Sequence, residues 1–254
     1  MPQIARRPRL KFDAWPSAVY AIGDVHGCID QLQKLEALIV ADGTAFPGEK
    51  WIVTLGDYID RGVASPAVLD HLMTPPPAGF QRFALLGNHE KLLLDFLDNP
   101  PANLDWLEWG GVATAKGYGL ADPAESWRQS PRRFAEALRP LIPPGHLELL
   151  HNLPTCLSLP GFFFVHAGIR PGVSLEAQDD EDLIWIRAPF LRAKVTPGLT
   201  IVHGHTPVEA VDLQPGRIDI DTGCVFTGVL SCLRVLPDGG LKLLQARGKA
   251  AIER

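Results

Sequence analysis

The stretch AVYAIGDVHG, residues 18–27, sets the reading of the whole chain. A short apolar run passes straight into a loop that carries an acid and a histidine between two glycines. The run predicts a strand at 18–22. The pattern then recurs: WIVTL (51–55) runs into GDYIDRG (56–62), and FALL (83–86) runs into GNHE (87–90). Helical periodicity follows, in IDQLQKLEALIV at 29–40, in a shorter helix at 67–72 and in another at 91–97. Strand, loop and helix in this alternation predict a βαβαβ arrangement. In such sheets the functional loops gather at the carboxyl ends of the strands, which brings distant motifs to one place.

From about 100 to 153 the chain changes character. Trp106, Trp109, Trp127, the glycines at 110, 111, 117 and 119, and a predicted helix near 131–138 suggest a helical insert or cap beside the site. Glu108 and the tryptophans are read as packing that insert. After Thr155 β character returns in CLSL, FFFVHAG, TIVHGHT, RIDIDTG, VLSCLRVL and LKLLQA. These short apolar stretches, punctuated by Gly and Pro, predict a second sheet packed on the first. With helices outside, the class is α/β and the architecture a sandwich. Residues 1–254 are read as one domain that carries the 100–153 insert.

Bulk composition excludes several classes. A net charge of −5 argues against a general nucleic-acid binder, which needs a basic surface. No apolar run approaches the ~20 residues of a membrane span, and the basic N-terminal stretch lacks the apolar core of a signal peptide. The four cysteines, Cys28, Cys156, Cys224 and Cys232, form no CxxC and are expected as free thiols of a cytoplasmic protein. Cys224 follows Asp-Thr-Gly, so its loop can border the site, but a structural role is expected for it.

The chemistry lies in the loops. Asp24 and His26, at i and i+2 on extended backbone, leave the same face and can reach one metal together. Asp57 has two carboxylate oxygens and can bridge two cations. Asn88 offers a neutral hard oxygen, and His89 is either a ligand or a proton donor. His166 and a late histidine, His203 or His205, add imidazoles. Mixed oxygen and nitrogen ligands suit Mn²⁺, Fe or Zn²⁺, and argue against a structural Cys₄ zinc. Two cations ~3.5–4 Å apart would lower the pKa of a shared water and screen the charge of a phosphate ester. Arg61 and Arg187 offer planar forks for the remaining phosphoryl oxygens. His89 is suited to protonate the leaving oxygen, with Asp60 orienting it. Each piece has a bland reading as a turn or a helix start. Five such pieces in this order, each after an apolar strand, are not explained that way. His71, His146 and His151 lack this context and are read as surface or packing histidines.

GDVHG (23–27), GDYIDRG (56–62), GNHE (87–90), HAG (166–168) and GHTP (204–207) together resemble the metallophosphoesterase superfamily, and within it the phosphoprotein (serine/threonine) phosphatase branch, as a compact bacterial or phage-like form. The resemblance implies an αββα sandwich of two mixed sheets. It implies one metal on Asp24, His26 and Asp57 and a second on Asp57, Asn88, His166 and His205. It implies His89 as general acid beside Asp60, and Asn88, Arg61 and Arg187 as phosphate contacts. It favours His205 over His203, because the family's ligand follows the glycine. Pro207 stands where other branches place a further metal histidine. Two Mn²⁺ ions and a phosphoserine or phosphothreonine protein substrate, attacked by hydroxide shared between the metals, are the expectation. The alternative is a diadenosine tetraphosphate hydrolase of the same fold. Such hydrolases are expected to lack the Asp-Arg pair and to carry GNHD, so Asp60-Arg61 and Glu90 favour the protein phosphatase. A non-catalytic metal-binding module would be expected to lack a ligand or His89, and none is missing.

Overall fold

The computed structural model describes residues 6–194 and 198–252, apart from the side chains of residues 124 and 125. The first five residues of the basic N-terminal stretch therefore lie outside the described residues. Eleven strands are described: β1 (Leu10–Lys11), β2 (Ala18–Ile22), β3 (Lys50–Thr54), β4 (Phe80–Ala84), β5 (Cys156–Leu159), β6 (Phe162–Val165), β7 (Thr200–His203), β8 (Asp212–Gln214), β9 (Arg217–Asp219), β10 (Val229–Val235) and β11 (Leu241–Arg247). They form a five-stranded sheet, β11-β10-β2-β3-β4, and a six-stranded sheet, β1-β5-β6-β7-β9-β8. The strands β2, β3 and β4 run parallel, and β10 and β11 add antiparallel at one edge. In the second sheet β6, β7 and β9 run parallel, with antiparallel partners on either side.

Alternation along each strand separates three apolar layers. Val19, Ala21, Trp51 and Val53 of the first sheet meet Leu157, Phe164, Val202 and Ile218 of the second in one buried cluster. The intervening residues Tyr20, Ile22 and Ile52 face the helices instead. The second sheet's outer face, with Phe163, Val165 and Ile201, is covered by Leu183, Ile186 and Phe190. Helix, sheet, sheet and helix are therefore stacked in the αββα order.

The first sheet's helices follow its strands: α1 (Ile29–Gly43), α2 (Ser65–Met73) and α3 (Asn88–Asp98). Helix α1 buries Leu32, Leu35 and Ile39, one stripe at helical spacing. Two boundaries differ from the sequence reading. Strand β4 ends at Ala84, because Leu86 leaves the ladder and donates its N–H to Pro154 O at 2.8 Å. Helix α3 starts at Asn88 rather than near 91, because Glu90 turns back and accepts the Gly87 N–H at 3.0 Å.

The segment 100–152 holds only helical pieces among the described elements: turns at Pro100–Ala102, Leu107–Gly111 and Arg139–Leu141, and α4 (Val112–Gly117), α5 (Pro123–Gln129), α6 (Pro131–Leu138) and α7 (Pro144–Asn152). Trp106 and Phe134 pack on Phe96 of α3, with ring centroids 4.8 and 6.0 Å away. Beyond β6 lie α8 (Asp180–Trp185) and α9 (Ala188–Leu191), and α10 (Cys224–Thr227) precedes β10. No helix among the described residues is long and apolar enough to cross a membrane.

The inter-sheet layer should dominate stability. Phe164 is 0% exposed there, and Phe164→Ala is expected to cost ~3–5 kcal/mol in denaturant unfolding. Leu213→Ala, at a side chain 61% exposed, should stay within ~0.5 kcal/mol.

Candidate active site

Every loop singled out in the sequence ends at one edge of the sandwich. Asp24 and His26 follow β2, while Asp57, Asp60 and Arg61 follow β3. Asn88 and His89 form the first turn of α3. His166 follows β6 and His205 follows β7. All except Arg61 are buried; Arg61 is half-buried, and Arg187, between α8 and α9, is exposed. The loops are bonded to one another. The Asp57 carbonyl accepts from Val25 N at 3.0 Å and His26 N at 2.8 Å, and His166 O accepts from Gly204 N at 2.8 Å. Glu90 accepts from the N–H groups of Asp57 (2.9 Å) and Tyr58 (2.7 Å), so it fixes the turn that carries Asp57. A Cβ at Gly87 would collide with Asp57, so only glycine lets these two loops meet.

Six non-glycine residues among those described have positive φ, and five are in this site: His26 (44°), Asp57 (53°), Asp60 (71°), Arg61 (66°) and His205 (67°). Left-handed backbone costs a residue with a Cβ roughly 1–2 kcal/mol. Its concentration here marks side chains held where the surrounding structure dictates.

Two groups of donor atoms lie close enough together to share an ion each, and Asp57 belongs to both. Asp57 Oδ1 is 3.4 Å from His166 Nε2, while Oδ2 is 3.5 Å from His26 Nε2 and 3.9 Å from His89 Nε2. One carboxylate thus turns an oxygen to each side. On the first side, His166 Nδ1 donates to Leu55 O at 2.9 Å, which leaves Nε2 bare. That nitrogen faces Asn88 Oδ1 at 2.9 Å and His205 Nδ1 at 3.2 Å. On the other side, His26 Nδ1 donates to Ile59 O at 2.7 Å and turns its own bare Nε2 inward.

The electrostatics agree with this donor set. Burial alone would raise the Asp57 carboxyl, but His166, His89, His26 and His205 around it hold it well below the usual carboxylate range. Burial, with His166 beside it, pushes His205 down to about 2, and burial lowers His26 and His166 as well. An ionised Asp57 beside His26, His166 and His205, whose lowered pKa values favour bare ring nitrogens, is the protonation state that divalent ions require. The residues present therefore fit a dinuclear divalent centre.

Asp24 stands apart from both groups. Its carboxylate accepts from His205 N at 3.2 Å, and burial, with Asp221 and Asp57 nearby, raises its pKa well above the ordinary value. The group at His26 also takes in His89. Arg61 spans that group, its two Nη atoms 2.9 Å from His26 Nε2 and 3.1 Å from His89 Nε2. Arg187 Nε donates to His205 Nε2 at 3.0 Å. His89 Nδ1 lies 2.8 Å from Asp60 Oδ2. Burial would lower the His89 imidazole, but the Asp57 and Asp60 carboxylates outweigh it and its pKa is raised.

The competing histidines separate cleanly. His203 turns away, with Nδ1 3.0 Å from Gly204 O and its ring against Phe190. His71 pairs with Glu36 at 3.3 Å, His146 bonds Asp70 at 2.9 Å, and His151 is exposed; none reaches the site. The four cysteines are buried and free. Sequence reasoning passed over Asp221, buried beside Asp24, although RIDIDTG repeats the strand-then-acidic-loop pattern. Trp106, read from the sequence as packing the insert, and Thr114 also bond Asp60, contacts that their distance in sequence from the loops hides.

His166→Ala should lower the Mn²⁺ stoichiometry measured by isothermal titration from two to one, with the fold retained by circular dichroism. His89→Asn should keep two ions and lose ~10²–10⁴ in kcat; loss of an ion would make His89 a ligand instead.

Comparison with known proteins places this arrangement. A model of the calcineurin-like phosphoesterase family matches residues 17–244. A bis(5'-nucleosyl)-tetraphosphatase PrpE [asymmetrical] of Bacillus velezensis is 30% identical over 233 residues, 84% of this chain and 87% of that protein. A symmetrical bis(5'-nucleosyl)-tetraphosphatase of Chromobacterium violaceum is 26% identical over 271 residues, 86% of this chain and 92% of that protein. A crystal structure of a candidate diadenosine tetraphosphatase superposes with a TM-score of 0.66 at 20% identity, covering 96% of this chain and 100% of the other, a likeness of fold. With its strand-end loops, paired sheets and buried histidine–carboxylate centre, this chain belongs to the calcineurin-like phosphoesterase family.

Proposed function

We propose that this phosphoesterase hydrolyses dinucleoside polyphosphates of the bis(5'-nucleosyl)-tetraphosphate class, using two divalent ions, Mn²⁺ foremost. The observation that carries the reading is the cleft beside the centre. It encloses about 1720 Å³ and runs from Arg61, Arg187 and His205 to Trp109, Trp185 and Phe226, with Lys116 on its wall. The Trp109 and Trp185 rings meet edge to face at 5.1 Å, and Trp109 is 44% exposed. A polyphosphate needs cations along its length, and a nucleobase needs an aromatic or apolar face. The cleft offers both next to the phosphoryl centre. The names borne by the sequence relatives agree.

The features that favoured a protein phosphatase in the sequence do not discriminate. Asp60 bonds His89, Arg61 bonds His26 and His89, and Glu90 ties backbone N–H groups of the Asp57 turn. All three serve the phosphoryl centre, and none reaches toward a leaving group or a peptide. They suit any phosphoesterase of this fold.

In this reading Asp57 would serve both ions, with Asp24 and His26 on one side and Asn88, His166 and His205 on the other. When bound, the ions supply hydroxide near neutral pH and screen the charge of the phosphates. Arg61 and Arg187 hold the phosphoryl oxygens as planar forks. The positive end of α3, where Asn88 and His89 lie, adds a fixed dipole aimed at the same anion. His89, oriented by Asp60, donates a proton to the departing oxygen.

Metal-stripped protein should be assayed on diadenosine tetraphosphate and on a phosphothreonine peptide, with and without Mn²⁺. Mn²⁺-dependent cleavage with higher kcat/KM on the dinucleotide is expected. Preference for the peptide would return the function to a protein serine/threonine phosphatase. Trp109→Ala should lower kcat/KM for the dinucleotide by ~10-fold or more, through lost base stacking, and change 4-nitrophenyl phosphate turnover by less than ~2-fold.

A further inference from the structure

Asp60, the partner of His89, is itself held by the helical insert. Its Oδ2 faces His89 Nδ1 at 2.8 Å. Its Oδ1 accepts from Trp106 Nε1 at 3.1 Å and from Thr114 Oγ1 at 2.6 Å. The same threonine hydroxyl accepts the Asp60 N–H at 2.8 Å, and Ser65 Oγ shares that N–H at 3.1 Å. All of these side chains are buried. One hydroxyl therefore grips both the backbone and the side chain of Asp60. A third insert contact lies next to it, where Arg61 N donates to Gly110 O at 3.1 Å. Asp60 and Arg61 are consecutive left-handed residues, a conformation their side chains disfavour.

We propose that Trp106 and Thr114 are positioning residues for proton donation to the leaving group. A carboxylate can rotate about its Cβ–Cγ bond, and only one orientation aims an oxygen at His89 Nδ1 while the other remains satisfied. Two donors on Oδ1, from two different pieces of the insert, select that orientation. The imidazole plane follows, and with it the direction of Nε2. The tryptophan also packs on Phe96, but packing requires no indole N–H. Trp106 and Thr114 are eight residues apart and reach the same oxygen, which a merely space-filling insert would not need. The inference rests on His89 as proton donor and is independent of which phosphate compound is the substrate.

The test uses the Mn²⁺-loaded full chain and a series of aryl phosphates from 4-nitrophenyl to phenyl phosphate. Proton donation matters more as the leaving group becomes more basic. Thr114→Val should lose ~10-fold more in kcat on phenyl phosphate than on 4-nitrophenyl phosphate, Thr114→Ser should restore the wild-type dependence, and Trp106→Phe should shift in the same direction as Thr114→Val. In metal-free protein, the hydrogen-bonded Nδ1 proton of His89 should be seen by NMR in wild type and Thr114→Ser, and be shifted or lost in Thr114→Val. Equal losses across the series, or an unmoved Nδ1 proton, would overturn the proposal. If Thr114→Val does not fold, Trp106→Phe decides by the same two readouts. His89→Asn is the control: a steepened dependence there but not in the positioning variants sinks this inference alone, whereas no steepening there removes His89 as proton donor.

Discussion

The Asp57 carboxylate sits between four histidines, one oxygen facing His166 and the other facing His26 and His89. Everything else in the site is arranged around keeping this single charge ionised, buried and immobile. Burial by itself would neutralise it, and the surrounding imidazoles reverse that tendency. Its backbone is left-handed at φ 53°, and Glu90, Gly87 and the first loop fix the turn from three sides. A buried carboxylate with ring nitrogens and an amide oxygen gathered about its two oxygens is apt for divalent ions. The local strain and the metal-binding geometry are thus two aspects of one constraint.

That constraint explains why two sheets are needed. The first sheet supplies Asp24, His26, Asp57, Asn88 and His89 from three consecutive strand ends. The second supplies His166 and His205 from two more. Neither set completes a pair of ligand groups alone. The apolar layer between the sheets, to which Phe164, Val202 and Val53 belong, sets the distance between the two sets of loops. Packing energy in that layer is therefore converted into ligand geometry at its edge.

The helical insert connects stability to chemistry in a different way. It buries Trp106 and Phe134 against α3, and it reaches the turn of Asp60 and Arg61 through Trp106, Thr114 and Gly110. It also walls the cleft with Trp109 and Lys116. The chain as a whole is acidic, with a net charge of −5, yet Arg61 and Arg187 stand together beside the centre, and Lys116, Glu108 and Asp122 line the rest of the cleft. Charge at the site and charge of the chain are set independently.

By itself the sequence determined the strands that end in Gly-Asp and Gly-Asn loops, the αββα layering, and the acids and histidines that converge. Each is written locally: an apolar run of strand length, then a turn residue, then a side chain with metal or proton chemistry. The residues alone left His203 and His205 open and only the family resemblance favoured His205; in the structure His205 faces His166 and His203 packs against Phe190. Tertiary structure alone decided that Asp24 accepts from His205 N beside Asp221, that His89 lies close to His26 and Asp57, and that Trp106 and Thr114 bond Asp60. It also decided that Trp109 and Trp185, 76 positions apart, form one wall. These are contacts between segments with no shared periodicity. Local pattern reports which face of an element is buried, whereas the partner across the interface is fixed only when the layers pack.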